Sequence, residues 1–203
     1  MRTDEAGQLF EDGTRAGTAL QELIVKGASL SGHERNRVYV QTRQGGTLRY
    51  VDASLLSGLD AIADGRSFAW FDFDRDGRRD VVLTNANEPR VQLFRNQLDA
   101  RRSVLAIRLQ GANHGALRSP GTASNRDAIG ARIDVLACGR THTAELRAGE
   151  GLAAQNSGEL LIGLGECSSV DWIRVGWPSG QESTLHKPPI RALERSEIRI
   201  IEP

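Results

Sequence analysis

Apolar residues in this chain come in short alternating runs that stop at Gly, Asn, Asp or Pro, the pattern of strands joined by turns. Runs of this kind predict strands over Arg37–Thr42, Arg66–Phe71, Asp80–Thr84, Val91–Arg95 and Val104–Leu109. Further on they predict strands over Ala131–Leu136, Thr141–Arg147, Glu159–Gly163, Val170–Trp177 and Glu197–Ile201. In WIRVGW, the residues Ile173, Val175 and Trp177 share one face, as a half-buried strand requires. Trp177-Pro178-Ser179-Gly180 then ends that strand, because proline cannot continue the ladder and Ser-Gly supplies a turn. Helical periodicity is scarce. TALQELIVK (Thr18–Lys26) is the one short helix the pattern allows, and its Ile24-Val25 suits a strand equally well. The expected fold class is all-β.

The first hundred residues contain a weak internal echo. GQLFEDGTRAG (Gly7–Gly17) is similar to GTLRYVDASLLSG (Gly46–Gly58), and RVYVQ (Arg37–Gln41) to VQLFRNQ (Val91–Gln97). Spacings of about 40 to 55 residues are those of β-propeller blades, and a closed propeller needs ~4 to 8 of them. The expectation is therefore a partial, propeller-type repeat region, either the end of a longer array or a small β unit. The polar stretch LDARR at Leu98–Arg102 marks a boundary, giving domains over 1–100 and 101–203. The loop-rich interval Gly111–Asp127 falls inside the second as a long connection.

One stretch carries chemistry. FDFDRDGRRD (Phe71–Asp80) sets four aspartates in ten residues between two strand-like runs. Counting from Asp72, aspartates stand at positions one, three, five and nine, with Gly77 at six. Calcium takes about six to eight oxygen ligands, and alternate positions on a tightly curved loop point several carboxylates inward. Gly77 serves the sharp turn, where a Cβ would clash, and Arg78 would offer its backbone carbonyl while its side chain points outward. The candidate metal ligands are thus Asp72, Asp74, Asp76, Asp80 and the carbonyl of Arg78. An EF-hand is excluded twice: position twelve is Leu83 rather than a bidentate glutamate, and FAWF and VVLTN read as strands. An Asp-rich turn without metal is the remaining alternative. It leaves four carboxylates repelling one another, relieved only in part by Arg75, Arg78 and Arg79. Magnesium prefers fewer carboxylates, so Ca2+ is the expected ion.

Composition narrows the partners. Lys plus Arg and Asp plus Glu both total 26 in 203 residues, so the chain has no net charge to attract nucleic acid or anionic membrane. No apolar run approaches the ~20 residues that span a bilayer. The opening MRTDEAGQLFEDG lacks a signal-peptide layout, which leaves a cytoplasmic protein or a piece of an exported precursor. Cys138 and Cys167 would pair in an oxidising compartment and stay free in a reducing one.

Signals for catalysis are weak. His33, His114, His142 and His186 stand far apart without ligand spacing, and HERNR lacks the second histidine of a zinc-protease helix. No serine occupies a nucleophile elbow, and GLGECS at Gly163 is followed by no helix pattern. Cys167 has no local base and reads as structural. Asn125-Arg126-Asp127, just before an apolar strand, is placed either to line a site or, more simply, to cap that strand as a turn.

FAWFDFDRDGRRDVVLTN followed by VQLFRNQ resembles the FG-GAP/VCBS repeat, with SGHERNRVYVQ (Ser31–Gln41) and YVDASLLSGLD (Tyr50–Asp60) upstream. NRDAIGARIDVL (Asn125–Leu136), GEGLAAQNSGELLIGLG (Gly149–Gly165) and VDWIRVGWPSG (Val170–Gly180) resemble the ASPIC and UnbV domain. That domain follows such repeats in the cartilage acidic protein-like group and in bacterial surface or secreted proteins. The resemblance implies a calcium-stabilised propeller-type segment before a β-sandwich-like domain, with Asp72, Asp74, Asp76, Asp80 and the Arg78 carbonyl as metal positions. Two functions follow as expectations. One is a non-catalytic, extracellular or cell-surface calcium module that recognises protein or carbohydrate. The other is an enzyme or accessory protein of bacterial secondary metabolism, which would need a deep pocket with convergent polar groups.

Overall fold

The structure is a computed structural model that describes residues 19, 21–23, 26, 28–29, 31–98, 102–113 and 122–203. Among these residues the regular structure is almost all strand. The order is β1 (Tyr39–Gln44), β2 (Thr47–Asp52), a helical turn Ser54–Ser57, β3 (Gly65–Phe71), β4 (Asp80–Asn85), β5 (Val91–Phe94) and β6 (Ser103–Gln110). Then come β7 (Arg132–Ala137), β8 (Arg140–Glu145), β9 (Glu159–Gly165), β10 (Trp172–Gly176), β11 (Glu182–His186) and β12 (Arg195–Ile201). The sheets are β1-β2, β3-β4-β5, β12-β6-β9 and β11-β10-β7-β8. None of them is closed, so the all-β expectation holds but the propeller-type arrangement does not. The echoing segments RVYVQ and VQLFRNQ enter different sheets, as β1 and β5. Of the helix expected over Thr18–Lys26, Ala19, Gln21, Glu22 and Leu23 are helical; the other positions, Lys26 apart, lie outside the described residues, as does Gly7–Gly17.

Two compact units divide the chain: Met1–Phe68 with Val82–Phe94, and Ala69–Val81 with Arg95–Pro203. The second is built on alternation. In parallel register, Ser196, Ile198 and Ile200 of β12 face Leu105, Ile107 and Leu109 of β6. On the other side of β6, Leu105 and Ile107 are matched by Ile162 and Leu160 of β9 in antiparallel register. In the four-stranded sheet Ile133 and Val135 of β7 stand opposite Val175 and Ile173 of β10. The apolar faces of both sheets join in one core, with Ala128, Leu146, Val170 and Trp177 completing it. This is a β-sandwich-like arrangement. Trp177 closes one end, its Nε1–H donating to Ser183 Oγ at 2.8 Å, and Gly180 N donates back to Trp177 O at 2.9 Å in the expected turn.

Cys138 and Cys167 form a disulfide with Cα atoms 6.0 Å apart. It ties the β7–β8 turn to the segment after β9 and so staples the two sheets. Glu202 closes the end near β12. Its buried carboxylate accepts from Ala112 N at 2.6 Å, Ser124 N at 2.9 Å, and the hydroxyls of Ser124 and Ser179. Gly111 is obligatory here, because a Cβ on it would lie 2.0 Å from the Asn125 carbonyl oxygen. Asn125 clamps Ile129, accepting from its N–H and donating to its carbonyl, which is the turn-capping role read for it.

The first unit is put together differently. β1 and β2 pair through a two-residue turn, Gly45-Gly46, in which both φ angles are positive, as the hairpin turn with matching twist requires. Both strands are exposed along their whole length, including Tyr39, Val40, Leu48, Tyr50 and Val51. Among its described residues the buried groups are largely polar. Asp64 accepts from the hydroxyls of Ser29 and Ser31, while its own N–H donates to Asn87 Oδ1 at 2.8 Å.

Candidate metal centre

The aspartate loop connects β3 to β4, so the strand flanks that exclude an EF-hand are present. Its shape is set from within. Asp72 Oδ1 accepts from Asp76 N and Asp72 Oδ2 from Gly77 N, both at 3.0 Å. Gly77 has φ +85°, and a Cβ there would come within 3.3 Å of the Val104 side chain. Asp80, fully buried at the start of β4, accepts from Phe73 N at 2.8 Å and from Asn96 N at 2.7 Å. These bonds curl the loop around its own carboxylates. Oxygens of Asp72, Asp74 and Asp80 all lie within 4.8 Å of one another.

That spacing tests whether calcium fits. Ligand oxygens 2.3–2.6 Å from one ion are at most about 5 Å apart, and this trio meets that limit. The donor set is also right for a hard cation, being oxygen throughout. Asp76 and Arg78 are placed otherwise. Asp76 Oδ1 accepts from Arg78 N at 2.8 Å, and its other oxygen pairs with the Arg78 guanidinium. The Arg78 side chain therefore folds back over the loop, with Nε donating to Asn96 O at 2.9 Å, rather than pointing outward as expected.

Cations come to the carboxylates from distant parts of the chain. Arg95 pairs with Asp74 and stands 3.7 Å from Asp76. Arg195, the first residue of β12, donates from Nε to Asp72 Oδ2 at 2.9 Å and also pairs with Glu159 and Glu197. Arg75 and Arg79 turn elsewhere, to Glu197 and to the Leu161 carbonyl. Burial pushes the Asp72 carboxyl above its ordinary pKa, with the Gly77 N–H, the Arg195 charge and the Asp76 N–H working the other way. For Asp74, burial is outweighed by Arg95, and the carboxyl is held below its ordinary value. Sequence reasoning missed Arg95, Arg195 and Glu159; nothing local signals them, because each reaches the loop only through the fold.

Other candidates do not assemble. Cys167 is disulfide-bonded and so is no free nucleophile. His33, His142 and His186 join no metal-ligating group among the described residues, and His114 lies outside them. A cavity of about 160 Å³ beside the loop is lined by Trp70, Arg79, Glu145, Glu150 and Asn156, and a neighbouring one of about 350 Å³ by Arg108, Asp127 and Gln155. Their charged groups are engaged: Glu145 with Arg147, Glu150 with Asn156, Arg108 with Glu159. No helix among the described residues is long and apolar enough to cross a membrane.

No curated protein is matched by this chain. The family model described as ASPIC and UnbV matches residues 121–197, from the segment before β7 into β12, and this part of the chain carries an ASPIC and UnbV domain.

Proposed function

We propose that this chain is a non-catalytic calcium-binding β module that recognises protein or carbohydrate on an extracellular or cell-surface protein. The observation that carries the reading is the convergence of Asp72, Asp74 and Asp80 within 4.8 Å on a loop turned by a glycine. Asp76 and the Arg78 carbonyl complete the oxygen set once the Arg78 guanidinium swings aside. The ion ties the ends of β3 and β4 together and cancels the repulsion between carboxylates. In this reading β3-β4-β5 and its loop form a single FG-GAP/VCBS-type unit ahead of the ASPIC and UnbV domain. The Cys138–Cys167 bond is compatible with an exported protein, since such bonds persist in oxidising compartments. Recognition then falls to loops held on a rigid β scaffold.

Thermal melts with calcium and with a chelator test the reading. Calcium at a hundredfold excess over its dissociation constant adds about 2.7 kcal/mol of stability, a rise of several degrees for the wild type. The rise should be much smaller for Asp76→Ala. An unchanged melting temperature in the wild type removes the structural calcium site. Calcium-dependent retention on immobilised glycans or extracellular proteins tests the recognition role, and retention that survives chelation contradicts it.

A further inference from the structure

Arg195 is where the aspartate loop meets the β12-β6-β9 sheet. Its side chain is only 7% exposed and that of Asp72 2%, and the third member of the cluster, Glu159, is also 7% exposed. All three guanidinium nitrogens are engaged, Nε with Asp72, Nη1 with Glu197 and Nη2 with Glu159. Register places Arg195 opposite Val104 at the start of β6, and these two side chains form the surface on which Gly77 rests. A Cβ on Gly77 would stand 3.3 Å from Val104 and 3.5 Å from the Arg195 Cβ, a tight fit, and the φ of +85° is what favours glycine there.

A lone cation beside a metal ligand would repel a divalent ion. Here Glu159 and Glu197, which also pair with Arg108 and Arg75, offset part of the charge of Arg195, whose Nε presents a fixed hydrogen-bond donor to the loop. Asp72 Oδ2 accepts from both Gly77 N and Arg195 Nε, which fills its two lone pairs. Among the described residues Oδ1 accepts only from Asp76 N, which leaves it a lone pair for an ion. Donors that orient ligands from behind are worth about 10- to 100-fold in metal affinity.

Resting on the calcium reading above, we propose that Arg195 is the positioning residue of the metal centre. It holds Asp72 with Oδ1 turned to the ion and links the loop to the β12-β6-β9 sheet. Calcium titration calorimetry and terbium luminescence on the whole chain test this, comparing wild type with Arg195→Gln, Arg195→Lys and Arg199→Ala. The expected result is calcium binding weakened about 10- to 100-fold in Arg195→Gln, partly restored in Arg195→Lys, and unchanged in Arg199→Ala on the same strand. The calcium-induced rise in the tryptophan-monitored unfolding midpoint should shrink in parallel. If Arg195→Gln does not fold, Arg195→Lys decides, because its affinity must still fall below that of the wild type. A wild type that binds and an Arg195 variant that binds equally well overturn the role of Arg195 and leave the calcium reading standing. A wild type that binds neither calcium nor terbium removes both.

Discussion

The two units solve the same problem with different means. The second buries continuous apolar faces from two sheets and adds a disulfide and a bonded carboxylate at its margins. Among its described residues the first leaves most apolar side chains in contact with water, Leu55 and Leu56 almost completely, and buries polar groups such as Asp64, Asn85 and Asn87 instead. Strand content alone therefore says little about how a β region is held. What matters is whether the alternate side chains of each strand find a second apolar face.

The sharpest way to break this comparison is one truncation in each unit. Ile173→Ala in the second unit empties a fully buried position between β7 and β11 and should destabilise by about 2–5 kcal/mol. Leu56→Ala in the first unit removes an exposed side chain and should change stability by less than about 0.5 kcal/mol in urea unfolding. Comparable losses at the two sites would end the distinction.

Reduction of the Cys138–Cys167 bond comes next in size. It closes a loop with a sequence separation of 29 residues, for which chain entropy gives about 3–4 kcal/mol. Urea midpoints with and without reductant should differ accordingly, with hydrogen exchange accelerating first around β7, β8 and the segment after β9.

Acid should act on the margin of the second unit. Burial pushes the Glu202 carboxyl up, but bonds from Ser179, Ala112 and Ser124 outweigh it and hold the pKa below its ordinary 4.5. A folded pKa below the unfolded one means the stabilisation is fully present above about pH 4.5 and is lost as pH falls through the folded value. Glu202→Gln should accordingly lower stability at pH 7 and flatten its decline between pH 5 and 3, on the order of 1–3 kcal/mol at neutrality. A variant with the same acid profile as the wild type contradicts this account.

Much of the fold is legible in the sequence where one face of a strand is apolar. WIRVGW and ARIDVL alternate cleanly, and both are core strands. β11, ESTLH, escaped notice because it is an exposed edge strand with no apolar face to read. β2 escaped for a different reason: TLRYVD is exposed, yet Gly45-Gly46 before it is a strong hairpin signal that was there to use. The metal loop is legible because its spacing is local, within ten residues. The arginines that answer its charge are not, since Arg195 reaches Asp72 across 123 positions and only the parallel pairing of β12 with β6 brings it there. Of the three arginines within the loop, Arg78 pairs with Asp76, whereas Arg75 and Arg79 serve other partners.

A crystal structure of the chain grown with calcium, with anomalous data to identify the ion, addresses the central claim most directly. The account predicts an anomalous peak between Asp72, Asp74 and Asp80, with oxygens at about 2.3–2.6 Å and Arg95 displaced from Asp74. The contradicting result is a loop without such a peak at saturating calcium, in which Arg95 still pairs with Asp74.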